Sequence, residues 1–299
     1  MLESRSNSAR GQWAQGSSGP RGLAGELRAA LGDPVSESVE FLERVFALAP
    51  DQWLRRMPGR ETFVHGGNIV IKRCRGDQWS EWWHERLRQR SARSPARRES
   101  ENLSALRESG LRVPTPLAWA EDIGARAAAP FQRGRSAMAM ERVAHREHLR
   151  QTLSRSAPEE VRAWIAPLAR MVAQLHGVHW FHRDLYLQHF AVCSVHAREL
   201  ALLDCGRARR MEPVPLRWIV KDLAQLLHSC PSTVGRSSQL RWLIHYTRLR
   251  RAGVSGGADV ARTERRALVE LVIAKQRRMA AHAPRHIDPR TANPDGSER

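Results

Sequence analysis

Lysine is scarce in this 299-residue chain: only three of its 49 basic residues are lysine, Lys72, Lys221 and Lys275. Where nearly every cation is arginine, a lysine points to a place that needs a compact ammonium. Cysteine is also sparse. Cys74, Cys193, Cys205 and Cys230 lie far apart without a CxxC pair, which excludes a disulfide scaffold or zinc ribbon and fits a reducing compartment. No apolar run reaches 18 residues, so a spanning helix is excluded. The first twenty residues have no apolar centre, and no secretory signal is expected. Acid is outweighed, 31 Asp and Glu against 49 Lys and Arg, for a net charge of +18. Such a chain seeks anions: nucleic acid, an anionic membrane face or a phosphorylated substrate.

Hydrophobic residues are 41% and charged residues 27%, ordinary for a folded chain. At about 150 residues per domain the length suggests two lobes. Residues 1–50 read as an N-terminal extension, partly disordered, and 285–299 as a disordered tail. The order between them, strand signals first and helical periodicity later, predicts an α+β protein. A small β-rich lobe over 51–140 precedes a larger helical lobe over 141–284.

The segment 59–74 reads as strands near 60–64 and 68–73 joined by the turn His65-Gly66-Gly67-Asn68. Lys72 closes the apolar run Ile69-Val70-Ile71. Ser94-Pro95 opens a helix ending at Gly110. On it Glu99 shares an apolar face with Leu103 and Leu106, where a carboxylate needs a partner cation. Ser136–Met140 reads as a buried strand and Glu141–Val143 as the link between lobes. Ser156-Ala-Pro-Glu159 reads as a capping box for a helix whose stripe is Val161, Ile165, Leu168, Val172 and Leu175. Strands 189–193 and 199–204 form a hairpin, with Asp184 before the first and Asp204 closing the second. The two carboxylates are expected close in space, as a metal pair or as base and metal ligand.

His182-Arg183-Asp184-Leu185 resembles the protein-kinase catalytic loop, and Asp204-Cys205-Gly206 resembles the metal-binding segment with Cys for Phe. Lys72 and Glu99 are similar to the kinase Lys–Glu pair. The match sharpens in FHRDLYLQHF (181–190), PGRETFVHGGNIVIKRCRG (58–76) and RWIVKDLAQLLHS (217–229). These resemble the bacterial lipopolysaccharide core kinases, which phosphorylate heptose or Kdo, over roughly residues 55–250. The resemblance implies a bilobal protein-kinase-like fold and ATP-dependent transfer, with Mg2+, to a sugar hydroxyl of the inner core.

It implies roles as well. Asp184 is the base, Asp204 the metal ligand with His189 as auxiliary, and Lys72, oriented by Glu99, the phosphate contact. Met140, Glu141 and Val143 line the adenine site through backbone groups. His182 and Arg183 support the loop, and Asp222 accepts backbone N–H bonds from it. Lys221 is expected to face elsewhere. Gly59 sits in a shortened phosphate loop or a plain turn. Trp79, Trp82 and Trp83 precede six arginines in 86–98. That segment suits lipid A phosphates and an anionic membrane surface, on the cytoplasmic face of the inner membrane, or is a solvated helix face. No nucleic-acid-binding motif occurs, and no obligate protein partner can be deduced. Other kinase-like phosphotransferases, for protein or small molecules, and a pseudokinase remain the alternatives.

Overall fold

The computed structural model describes residues 38–75, 93–121, 134–251 and 258–281. Its first part is a five-stranded antiparallel sheet in the order β1-β2-β3-β5-β4. The strands are β1 (Gln52–Met57), β2 (Arg60–His65), β3 (Ile69–Arg75), β4 (Pro116–Glu121) and β5 (Arg135–Glu141). Period-two alternation sends Ile69 and Ile71 to one face, where Leu42 and Val45 of helix α1 (Ser38–Ala47) cover them together with Phe63 and Ala139. Val70 points the other way, into a core with Met138, Met140, Leu103 and Leu106. The run is therefore apolar throughout because both faces are covered. Lys72, two residues on from Val70, pairs with Met138 in β5 and shares this second face.

Helix α2 (Pro95–Glu108) starts as its sequence requires. Pro95 takes the first turn, and Ser94 Oγ accepts the Arg97 N–H at 3.1 Å. Glu99, Leu103 and Leu106 are all buried against the sheet.

The second part is mostly helical: α3 (Leu149–Arg155), α4 (Pro158–Ala163), α5 (Ile165–Gly177), α6 (Leu216–His228), α7 (Arg236–Arg251) and α8 (Ala258–Ala281). Leu168, Val172 and Leu175 of α5 share a core with Leu223 and Leu226 of α6 and Trp242 and Tyr246 of α7. The expected capping box does not form. Ser156 ends α3, and its hydroxyl donates back to the Thr152 carbonyl at 2.9 Å. Ala157 stands at the start of α4 without a side-chain cap. The expected single helix is two, broken at buried Trp164. Pro167 has no N–H to give the Ala163 carbonyl, which would have continued the ladder.

Three short strand pairs frame the remaining loops. β6 (Glu147–His148) pairs with β8 (Phe190–Ser194), which pairs with β9 (Glu199–Leu202). β7 (Trp180–Phe181) pairs with β10 (Arg209–Arg210), Phe181 opposite Arg209. The hairpin is shorter than expected: His189 belongs to a 3-10 turn, Leu187–His189, and β9 stops two residues before Asp204.

Candidate active site

The ammonium of Lys72 lies 2.6 Å from Glu99 Oε1 and 3.5 Å from Asp204 Oδ1. Three elements bring them together: β3, the buried face of α2, and the turn after β9. Burial works against the ammonium, but the charges of Glu99 and Asp204 outweigh it and set its pKa above the usual lysine range. Burial raises the Glu99 pKa, with Lys72 opposing and the Asp204 charge adding to the rise. Asp204 is pulled well below the ordinary carboxylate range, chiefly by Lys72.

Asp204 adopts a left-handed backbone, φ 56°, rare for a residue with a side chain. The turn is pinned by α2. Asn102 Nδ2 donates to the carbonyls of Cys205 and Ala208, 2.9 Å each, and Arg98 Nε donates to the Gly206 carbonyl at 2.9 Å. Gly206 has a steric reason to be glycine, because a Cβ there would stand 3.2 Å from Glu99 Oε2. Asn102 follows Glu99 by three positions, one turn along the same face. That spacing was the available signal for a residue the sequence reading passed over.

The loop 182–187 is held by α6. Asp222, fully buried, accepts the His182 N–H at 2.6 Å and the Arg183 N–H at 2.8 Å. Gln225 accepts the Leu185 N–H at 3.2 Å, and Ser229 Oγ accepts the Leu187 N–H at 2.8 Å. Residues 222, 225 and 229 lie at i, i+3 and i+7, one polar stripe that grips four main-chain amides. Arg183 takes φ 74° under this grip. Asp222 is also joined to His176 Nε2 at 3.4 Å, and His176 Nδ1 meets Tyr246 Oη at 2.7 Å. A buried polar chain thus runs from α7 through α5 and α6 to the loop. Its members other than Asp222 carried no sequence signal beyond polar types on helix stripes.

His189 links the two aspartates. Its Nδ1 lies 2.8 Å from the Asp184 carbonyl, which can only accept, so Nδ1 carries the proton. Its Nε2 then faces Asp204 Oδ2 at 3.9 Å. His182 is fully buried and rests its Nε2 on the Leu203 carbonyl at 3.2 Å. Burial holds its pKa below the usual imidazole range.

Two placements differ from expectation. Lys221 does not face elsewhere: its Nζ stands 5.5 Å from the Trp218 ring centroid on the loop side of α6, and its electrostatic partners include Asp184. In the adenine segment, the Glu141 N–H is already given to the Thr115 carbonyl at 2.8 Å. The Val143 carbonyl is 2.7 Å from His145 Nδ1. These two groups close the strand and the turn, while Met140, opposite Val70, is largely buried beneath them. Gly59 forms the two-residue β1–β2 turn, where a Cβ would meet the Arg75 carbonyl at 3.2 Å. Trp79, Trp82, Trp83 and residues 86–92 lie outside the described residues.

The lipopolysaccharide kinase (Kdo/WaaP) family model matches residues 55–245. This chain belongs to that family. It is 30% identical over 208 residues to the lipopolysaccharide core heptose(I) kinase WaaP of Pseudomonas aeruginosa, covering 65% of this chain and 76% of that protein. A solved structure of WaaP in complex with acyl carrier protein is similar at TM-score 0.58 and 26% identity, covering 80% of this chain and 92% of that one. An ADP-bound aminoglycoside phosphotransferase has a TM-score of 0.46 at 12% identity, over 79% and 97% of the two chains. The chain is a bilobal, kinase-like phosphotransferase of lipopolysaccharide core biosynthesis.

Proposed function

We propose that this enzyme transfers the γ-phosphoryl group of ATP to a hydroxyl of a heptose or Kdo sugar in the lipopolysaccharide inner core. The observation that carries the reading is the position of Lys72, within reach of Glu99 and of Asp204, which lies 132 residues further along the chain. Phosphoryl transfer has a loose transition state, so positioning and charge neutralisation supply most of the catalysis. Lys72, steered by Glu99, holds the donor's phosphates. Asp184 orients the acceptor hydroxyl and takes its proton as the new P–O bond forms and the bond to the β-phosphate oxygen breaks. A positioned base of this kind contributes about 10²–10⁴-fold. Asp222, His182 and Arg183 act through the loop backbone as positioning residues.

A divalent metal fits the donor set. With Nδ1 turned to the Asp184 carbonyl, His189 presents Nε2 to the Asp204 carboxylate, 3.9 Å away, and a cation between them would take one ligand from each. Among the described residues no three His, Cys, Asp or Glu side chains are grouped around one point. Mg2+ does not need such a cage, because it keeps waters and takes phosphate oxygens. Asp204, with His189 beside it, would hold the ion, which supplies charge neutralisation on the triphosphate.

The reading places the enzyme in the cytoplasm, peripheral on the cytoplasmic face of the inner membrane. The net charge of +18 supports attraction to an anionic surface, and among the described residues no helix is long and apolar enough to cross a membrane. The acyl carrier protein of the WaaP complex is the candidate protein partner here too, and co-purification from cells tests it.

Mass spectrometry of core oligosaccharide from cells with and without the protein is the decisive experiment. One phosphate should disappear with the protein and return with the wild-type chain but not with Asp184→Ala. An unchanged core phosphate pattern overturns the acceptor assignment.

A further inference from the structure

Asp184 presents two sides. Its main-chain carbonyl faces His189 and, through it, Asp204. Its carboxylate faces Arg207, whose Nη1 lies 2.8 Å from Oδ2. The strand pair β7–β10 makes this contact: Phe181 is opposite Arg209, so the antiparallel register puts residue 207 level with 183, one place from Asp184.

Two more cations stand in the same place. Trp218 stacks on Phe181 at 5.1 Å and has the Arg183 guanidinium 5.3 Å and the Lys221 ammonium 5.5 Å from its centroid. Arg183 Nε is buried without a hydrogen-bond partner. Burial lowers the Arg183 pKa, and the charges of Arg207 and Arg209 lower it further. Burial likewise lowers that of Lys221, with Asp184 opposing and Arg207 and Arg183 adding to the fall. The Asp184 carboxylate is thus bonded to Arg207, and Arg183 and Lys221, beside the Trp218 ring, interact electrostatically with both Asp184 and Arg207, at a cost in mutual repulsion among the cations that an incoming anion would relieve. Lys72 and Asp204 take no part in this cluster, and Lys221 is one of only three lysines in the chain.

We propose that Arg183, Arg207 and Lys221 form an anion subsite that recognises a phosphate or carboxylate group carried by the acceptor beside its reacting hydroxyl. Binding that group draws Arg207 off Asp184 and leaves the carboxylate open to the hydroxyl proton. Arg207 is thereby a latch that opens for a charged acceptor and stays shut against water or a neutral sugar. This rests on the reading of Asp184 as the base.

The test is a melting experiment on the full chain with saturating ADP, titrated with inorganic phosphate or, in a parallel arm, acetate. ADP should raise the melting temperature, and one of the two anions should raise it further. Arg207→Gln combined with Lys221→Met should keep the ADP shift and lose the second. The anion giving the larger shift identifies the group recognised. In a transfer assay Arg207→Gln should raise the acceptor KM about tenfold, the scale of one lost charge-assisted hydrogen bond, with the ATP KM unchanged. Arg207→Lys should recover most of the loss. No shift with ADP overturns the kinase reading and the subsite with it. An ADP shift with no further anion shift, or an equal one in the double variant, overturns the subsite alone. So does an acceptor KM unmoved in Arg207→Gln.

Discussion

Asp222 fastens Arg183 in a left-handed backbone, its Oδ1 accepting the Arg183 N–H at 2.8 Å while φ stands at 74°. Such a backbone costs on the order of 1–3 kcal/mol and persists only where its surroundings over-determine it. The other carboxylate oxygen holds the neighbouring amide of His182, so the carboxylate acts as one clamp on two residues.

Asp222→Asn tests the clamp. An amide has one oxygen, so its NH2 group would be turned towards a main-chain donor. The expected cost is about 1–3 kcal/mol, that of a buried donor left unpaired. Thermal melting should show the loss, and transfer should fall more steeply than stability because the loop carries Asp184. Wild-type turnover in a folded Asp222→Asn protein would count against the clamp.

Lys72→Met should abolish transfer with the fold retained. Glu99 then loses its cation, and burial raises its pKa further. Circular dichroism would check folding, and acceptor-dependent ADP formation would check turnover. Turnover near wild type would remove Lys72 from the phosphate role.

Gly206→Ala puts a methyl group 3.2 Å from Glu99 Oε2. Glu99 must give way by a few tenths of an ångström, which disturbs its 2.6 Å bond to Lys72. The expected loss of stability is about 1–3 kcal/mol, with a larger relative loss in kcat. Full activity at full stability would show that the pair has slack there.

Acidic pH should weaken the fold through Asp204. Its folded pKa is depressed by Lys72. The stability it contributes is therefore in place above the unfolded aspartate value of about 3.9 and fades as pH falls below it. Glu99 acts in the opposite sense, because its folded pKa is raised. The carboxylate of Asp204 is half exposed, so the effect is modest. Melting curves between pH 5 and 3 should fall less steeply for Asp204→Asn than for wild type, and superimposed curves would dismiss the linkage.

Lys72 and Glu99 were legible because each breaks a local pattern, a cation closing a buried strand and a carboxylate on an apolar helix face. Asp222 was legible for the same reason, beside Ile219 and Leu223. Gln225 and Ser229 share its stripe but are neutral, and a neutral polar side chain in a helix costs too little to stand out. Ser156 was misread because a serine hydroxyl can as readily bond back to the helix behind it as cap the one ahead. Arg207 was illegible because its meaning depends on two two-residue strands brought together from opposite sides of the β8–β9 hairpin. No local periodicity reports such a pairing. Lys221 was assigned outward from its neighbours on the helix, whereas the indole of Trp218, one turn before it, turns it towards the loop.

The polar stripe of α6 takes hold of main-chain amides and of one side chain, Tyr186, whose hydroxyl accepts from Gln225 Nε2 at 3.2 Å, and it makes no bond to the side chain of Gln188. Exposed Gln188 can therefore be exchanged without loosening the fastening. What the loop displays at that position can thus change while the fastening underneath goes on unchanged.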